Sequence, residues 1–190
     1  MAYFTVRDVA AVALFAALWG VLNATVSPII FTMFGIPIFC DMIGFASLIL
    51  AVWWVRKPGA ASTVGFVATI LNFVFRPGAT HFLGFTAASV VFDFLTWVSR
   101  YGNCFGRRRV GALLLLAASA ASAAVAGFII GVFFMAAPQL VRWGGVLGWV
   151  LLHVAGGVVG WAIGVALVLS LEARGLRKQG GHVDADSCST

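Results

Sequence analysis

Long apolar stretches, each close to the length that crosses a lipid bilayer, follow one another along most of this chain. A helix needs about 20 apolar residues to cross the hydrocarbon core. Breaks rich in proline, glycine or arginine separate the stretches, as at Lys57-Pro58-Gly59 and Arg76-Pro77-Gly78. The pattern predicts an all-α membrane protein, a six-transmembrane-helix bundle with helices at about 9–30, 36–55, 58–75, 79–99, 110–135 and 145–171. We expect one domain over residues 1–172 and a polar, disordered tail over residues 173–190.

The composition excludes an ordinary soluble domain. The 190 residues are 62% hydrophobic and only 9% charged, and a soluble domain of this size could not bury so much apolar surface. The net charge of +6 does not indicate nucleic-acid binding, because the cations occur in short clusters between apolar runs. The three cysteines are odd in number and lack zinc-type spacing, so we expect neither a disulfide framework nor a metal or other cofactor.

The distribution of arginine and lysine predicts the orientation. Six crossings place both termini on one side, with ten of the twelve cations: Arg7, Arg56, Lys57, Arg100, Arg107, Arg108, Arg109, Arg174, Arg177 and Lys178. The other side carries Arg76 and Arg142. Because cytoplasmic loops carry the excess of positive charge, we expect both termini in the cytoplasm.

Polar side chains of the predicted helices collect at one depth, in the half that this orientation places outside. They are candidate substrate-binding residues: Asn23, Asp41, Asn72, Arg76, His81, Trp149 and His153. An ionisable group inside a bilayer costs about 2.5–3.5 kcal/mol on insertion scales, so it usually marks a site or a pairing. Asp41 is the strongest candidate, because it is a carboxylate one turn inside an apolar helix.

Structural roles for the same residues stay open. The two outer arginines could extend to the headgroups, and the asparagines could form interhelical hydrogen bonds. The histidines could be packed core residues, and no local spacing supports a metal site of His81, His153 and Asp41. Trp19, Trp149 or Trp161 could stack on a planar ligand, whereas Trp53, Trp54, Trp97 and Trp143 fall at the predicted interfaces, where tryptophan is enriched.

Two further features have interpretations of their own. Asp93 lies near the predicted inner end of the fourth helix, where an ion pair or a contact with a cytoplasmic partner is expected.

The first helix has one small-residue stripe at Ala13 and Ala17 and a second that includes Gly20. Spacing of four places each stripe on one face and allows close helix contact, so a stripe not used within the bundle predicts a partner membrane protein.

Motifs for catalysis are missing from the sequence. There is no P-loop, so the chain is not expected to hydrolyse ATP itself. His-Glu-x-x-His and Gly-x-Ser-x-Gly motifs and the paired acidic residues of an intramembrane protease are also lacking. We therefore expect no enzymatic activity.

The predicted topology, the outer polar pocket and the alanine-x-x-x-alanine face resemble the substrate-binding S components of energy-coupling factor (ECF) vitamin transporters. Within that family, "RKPGAA" at 56–61 followed by "RPGA" at 76–79 is similar to the group proposed to carry the hydroxymethylpyrimidine moiety of thiamine. Acidic residues also tend to occur in that group where "FCDMIGF" and "VFDFLTWVSR" stand here. The similarity spans about residues 8–110.

The resemblance implies a multi-pass protein of a prokaryotic plasma membrane that binds a vitamin or precursor. Its partners would be the T component and ABC ATPases of an ECF complex, with Ala13, Ala17 and Gly20 at the docking face. An aminopyrimidine could be recognised by Asp41 together with Asn72 or Asn23. The alternatives are another vitamin, a self-sufficient small transporter or channel, and a scaffold without transport.

Overall fold

The computed structural model describes residues 3–106 and 108–176, and within these ranges it contains helices and no strand. The helices are α1 (Val6–Phe34), α2 (Ile38–Val55), α3 (Ala60–Phe75), α4 (Phe82–Val98), α5 (Tyr101–Gly106), α6 (Arg108–Phe133), α7 (Ala137–Arg142) and α8 (Gly145–Ala173). Helices α1, α2, α6 and α8 are long and apolar enough to cross a membrane, and α3 and α4 are shorter apolar helices. The all-helical class is thus confirmed for the described part of the chain. Most of the predicted polar tail, residues 177–190, lies outside the described residues.

The ends of α1 follow from local chemistry. Thr5 and Asp8 form a capping box, in which each backbone N–H donates to the other residue's side chain at 3.1–3.2 Å. The helix was predicted to end near residue 30, two residues after Pro28, but continues to Phe34. Proline removes only one hydrogen bond of the helix, and the chain leaves the helix where Gly35 adopts a left-handed φ of 70°.

Helix α8 packs between α2 and α6 through its glycines. A Cβ atom on Gly160 would lie 2.8 Å from the carbonyl oxygen of Met42 on α2. On an adjacent face, a Cβ on Gly157 would lie 2.7 Å from Cβ of Ala123 on α6. The small residues of these helices therefore pack inside the bundle, as small-residue stripes do in membrane helices.

One end of the bundle, called the basic end below, joins the start of α1, the α2–α3 turn and the end of α8. Nζ of Lys57 lies 2.8 Å from Oδ2 of Asp8 and also donates to the carbonyl of Tyr3. Nε1 of Trp53 donates to Oε1 of Glu172 at 3.0 Å. Trp53 is only 2% exposed, so it packs inside the bundle at this end and does not face the lipid. Further cations stand near the helix ends on this side of the bundle: Arg7, Arg56, Arg100, Arg109 and Arg174.

The opposite end, called the far end below, joins the α1–α2 turn to the connection between α6 and α8. The carbonyl oxygen of Gly35 accepts hydrogen bonds from Nε2 of Gln139 and Nε1 of Trp143, both at 3.0 Å. Arg76 and Arg142 also lie at this end. The two ends therefore differ in charge in the way that the sequence indicates.

Asp93 has a structural role at the start of α3. Gly59 precedes this helix and has no side chain to cap it. Oδ2 of Asp93, on α4, accepts hydrogen bonds from the backbone nitrogen of Ser62 at 3.1 Å and from its hydroxyl at 2.7 Å. Among the described residues Asp93 forms this cap and not the expected ion pair, because a carboxylate is favoured at a helix amino terminus.

Candidate functional site

A cavity of about 200 Å³ lies in the half of the bundle toward the far end. Side chains of α1, α2, α4, α6 and α8 line it together with the α1–α2 and α3–α4 connections. Five of the seven predicted binding residues contribute to its wall: Asn23, Arg76, His81, Trp149 and His153. The shared depth that the sequence indicates thus corresponds to one cavity.

Asp41 and Asn72 do not line this cavity, although both were predicted to contact a ligand. Both are fully buried. Nδ2 of Asn72 donates to the carbonyl oxygen of Ala68 at 2.9 Å, one turn earlier in α3. Asp41 lies behind His153, whose Nδ1 is 2.8 Å from Oδ2 of Asp41. The prediction that Asp41 and Asn72 contact a ligand directly is therefore corrected: neither side chain reaches the cavity, and each is buried among other residues.

Close helix packing produces the contact between Asp41 and His153. Asp41 lies in the first turn of α2 and His153 lies on α8. One turn from His153, a Cβ on Gly156 would lie 2.7 Å from Cβ of Asp41, so these helices touch at backbone distance. The contact has an ion-pair distance but not the alignment of a good hydrogen bond. Asp41 is therefore connected to the cavity wall through His153.

Aromatic rings form a continuous part of the wall. Phe31 packs edge-on against Trp149 with ring centroids 6.3 Å apart, and Trp149 packs against His153 at 5.5 Å. His153 in turn lies 5.7 Å from Phe85, which contacts Phe82. Such offset and edge-to-face pairs are the favoured aromatic arrangements. The wall therefore suits a flat, apolar ring.

Three buried polar side chains on this wall have nitrogens without a hydrogen-bond partner among the described residues. They are Nδ2 of Asn23, Nε1 of Trp149 and Nε2 of His153, and each side chain is about 1% exposed. The other polar atom of Asn23, Oδ1, accepts from the hydroxyl of Ser27 at 2.5 Å. Buried polar groups are normally satisfied. Their free nitrogens indicate a place for a ligand with matching polar atoms.

Trp149 is the only one of the three candidate stacking tryptophans found on the cavity wall. Trp19 is buried behind Phe85 of the wall and beside Gly44, and it does not line the cavity itself. Nε1 of Trp161 donates to the carbonyl oxygen of Ala112 at 2.8 Å, which joins α8 to α6. Trp19 and Trp161 therefore contribute to packing within the bundle and are not placed to stack on a ligand in the cavity.

The predicted docking residues divide between two faces of α1. Ala13 and Ala17 are exposed on the outside of the bundle. Gly20 is buried against α3, where a Cβ would lie 3.1 Å from Cβ of Leu71. The prediction that Gly20 belongs to the docking face is therefore wrong, because it packs inside the bundle. The outward face is formed by Ala13 and Ala17.

Several residues of the cavity wall were missed from the sequence: Ser27, Phe31, Cys40, Phe82 and Phe85. Ser27 follows Asn23 by four residues, so the helical period alone could have placed it on the same face. The phenylalanines gave no such signal, because the chain contains seventeen of them.

Within residues 3–106 and 108–176, no group of three His, Cys, Asp or Glu side chains is placed to hold a metal ion. Comparison with protein-family models, with curated proteins and with solved structures gives no match for this chain. The cavity and its contacts are therefore the basis for a functional proposal.

Proposed function

We propose that this chain is the substrate-binding membrane subunit, the S component, of an ECF-type ABC importer in a prokaryotic plasma membrane. It would cross the membrane six times, with the basic end and both termini in the cytoplasm. The observation that carries the proposal is the cavity in the far half, with its aromatic wall and three buried nitrogens without a partner. A buried, mostly apolar cavity with a few convergent polar groups is the usual form of a small-molecule site.

The filled interior between the cavity and the basic end supports a binding subunit rather than a self-sufficient channel. Trp19, Phe45 and Phe92 are each at most 2% exposed there. Trp19 contacts Phe85 of the cavity wall, and Phe45 contacts Phe92 deeper in the bundle. A solute in the cavity would have to separate these side chains to continue, and a partner that moves the whole subunit avoids this requirement.

The size of the cavity supports a small vitamin or a vitamin precursor as the ligand. An engineered cavity of about 150 Å³ binds benzene, so a space of about 200 Å³ is suited to one substituted ring. The hydroxymethylpyrimidine moiety of thiamine has this size and is the first candidate, on the resemblance described above. A different single-ring vitamin is the alternative.

The outward face of α1 supports docking of a second membrane protein. Ala13 and Ala17 are exposed one turn apart, while the neighbouring stripe at Ala16 and Gly20 packs inside the bundle. Small residues allow another helix to approach closely in lipid. We propose that the T component of an ECF complex binds here, and that the associated ABC ATPases supply the energy.

Reconstitution in liposomes tests this function. The chain is inserted alone or together with a T component and ABC ATPases, and uptake of radiolabelled hydroxymethylpyrimidine is followed with and without internal ATP. We expect uptake only with the partners and ATP. Uptake by the chain alone would identify a self-sufficient transporter. Mass spectrometry of small molecules that co-purify with the protein identifies a different vitamin, if one is bound.

A further inference from the structure

The unpartnered nitrogens of Asn23 and Trp149, two residues of the cavity wall, are hydrogen-bond donors, and the wall also includes His81, whose neutral imidazole has one acceptor nitrogen. Oδ1 of Asn23 is already occupied by the hydroxyl of Ser27, so the free group is the amide nitrogen Nδ2. The indole nitrogen of Trp149, a residue of the cavity wall, can only donate and has no partner among the described residues. The guanidinium of Arg76, which also lines the cavity, is likewise a donor without acceptor capacity.

His153 adds a further donor because of its contact with Asp41. Both side chains are at most 1% exposed, and Nδ1 of His153 lies 2.8 Å from the carboxylate. Burying a net charge away from water is costly, so the pair is favoured in its electrically neutral state. In that state either an imidazolium faces a carboxylate, or a carboxylic acid donates a hydrogen bond to Nδ1 of a neutral imidazole. In both cases Nε2 carries a hydrogen that is available to the cavity.

We propose that the cavity binds a single-ring ligand through its hydrogen-bond acceptors, which accept from Nδ2 of Asn23, Nε1 of Trp149 and Nε2 of His153. Asp41 is a positioning residue that keeps Nε2 of His153 a donor and does not contact the ligand. Ring nitrogens, carbonyl oxygens and carboxylates all belong to this ligand class. This inference deepens the proposed function, on which it rests for the assumption that the cavity holds the transported molecule.

Isothermal titration of the purified protein with three simple ring compounds tests the proposal, with detergent alone as the blank. 4-Methylpyrimidine offers two acceptors and no donor, benzoate offers an anionic acceptor, and aniline has a donating amino group on a ring of similar size. We expect 4-methylpyrimidine or benzoate to bind at least about tenfold more tightly than aniline, since a donor facing a donor leaves both unsatisfied. Tighter binding of benzoate would indicate that the natural ligand is anionic and contacts Arg76 directly. Tighter binding of 4-methylpyrimidine would indicate that the natural ligand is neutral. Equal or tighter binding of aniline overturns the proposal.

Two tryptophans provide a matched pair of variants. Trp149 and Trp19 are both about 1% exposed and both have an indole nitrogen without a partner among the described residues, but only Trp149 lines the cavity. We expect Trp149→Phe to weaken binding of the preferred acceptor compound by about tenfold and to leave aniline binding within about twofold. Trp19→Phe should change neither. Equal effects of the two variants on the acceptor compound would contradict the proposed contact.

Asn23→Leu serves as a second variant if Trp149→Phe does not fold, and the same selective loss is expected.

The positioning role is tested by Asp41→Asn. We expect the Asp41→Asn variant to bind the acceptor compound more weakly than the unmodified protein does. An Asp41→Glu variant, which keeps the carboxylate, should bind it more tightly than Asp41→Asn. Unchanged affinity in Asp41→Asn would refute the role of Asp41. These titrations need no partner protein, so a failure of ATP-driven uptake would reject the importer and leave the acceptor preference standing.

Discussion

The crossing of α2 and α8 is the contact on which the candidate site depends, and Gly156→Ala tests it. The new Cβ would lie 2.7 Å from Cβ of Asp41 and 2.9 Å from the backbone carbonyl oxygen of Ile38. Carbon atoms in contact prefer separations of about 3.5–4.0 Å. The two helices must therefore move apart by about 0.8 Å at this point, because a backbone oxygen cannot turn away as a flexible side chain would.

The expected cost combines two opposing effects. Overpacking a close contact destabilises a protein by about 1–3 kcal/mol, whereas alanine favours a helix over glycine by about 1 kcal/mol. Gly102→Ala is the matched control, since Gly102 lies in α5 and a Cβ there meets no atom within 4 Å. Both variants share the gain in helix propensity, so their difference isolates the crossing, and we expect it to be about 2 kcal/mol.

Thermal or denaturant unfolding of the purified variants in one detergent measures this difference. Separation of the helices should also lengthen the 2.8 Å contact between Asp41 and His153 and weaken binding of the preferred ring compound. If Gly156→Ala is as stable as Gly102→Ala and binds ligand normally, the helices are not packed at backbone distance. The account of how Asp41 reaches His153 would then be wrong.

Three further predictions concern the ends and the outer surface of the bundle. Asp93→Asn should lower stability by about 1 kcal/mol, because a neutral amide is a weaker cap for α3 than a carboxylate; an unchanged melting temperature would contradict the capping role. Ala17→Leu should preserve folding and ligand binding but weaken assembly with a T component, whereas Gly20→Leu should destabilise the isolated subunit; equal destabilisation by both would remove the distinction between the two faces. In a chain without native cysteines, an impermeant thiol reagent applied from outside should label a cysteine at Gly144 and not one at Gly106, and the reverse would invert the proposed orientation.

The positions of the apolar helices could be predicted from the sequence because bilayer-length apolar runs and their breaks are local features. The limits of α1 were less accurate, since Pro28 is tolerated inside the helix and Gly35 ends it. The short helices α5 and α7 were not predicted, because six residues are too few for a periodic pattern.

The candidate site was predicted in composition but not in arrangement. Shared depth brought Asn23, Trp149 and His153 into one set, and the structure places all three at the cavity. Which side chain stands in front of another depends on helix rotation and on contacts distant in sequence. For this reason Asp41 was predicted to contact the ligand, although His153 lies between Asp41 and the cavity. The same limitation applies to Trp53, whose partner Glu172 is 119 residues away.

The unequal helix lengths have a consequence for the surrounding lipid. At 1.5 Å per residue, the 29 residues of α1 extend about 44 Å, whereas the 16 residues of its neighbour α3 extend about 24 Å. A hydrocarbon core is about 30 Å thick, so one helix is too long for it and the other too short. A long helix is accommodated by tilting and a short one by local thinning of the bilayer. In the six-crossing arrangement proposed above, the membrane beside α3 and α4 is expected to be thinner than beside α1, which gives the protein a thickness-sensitive side.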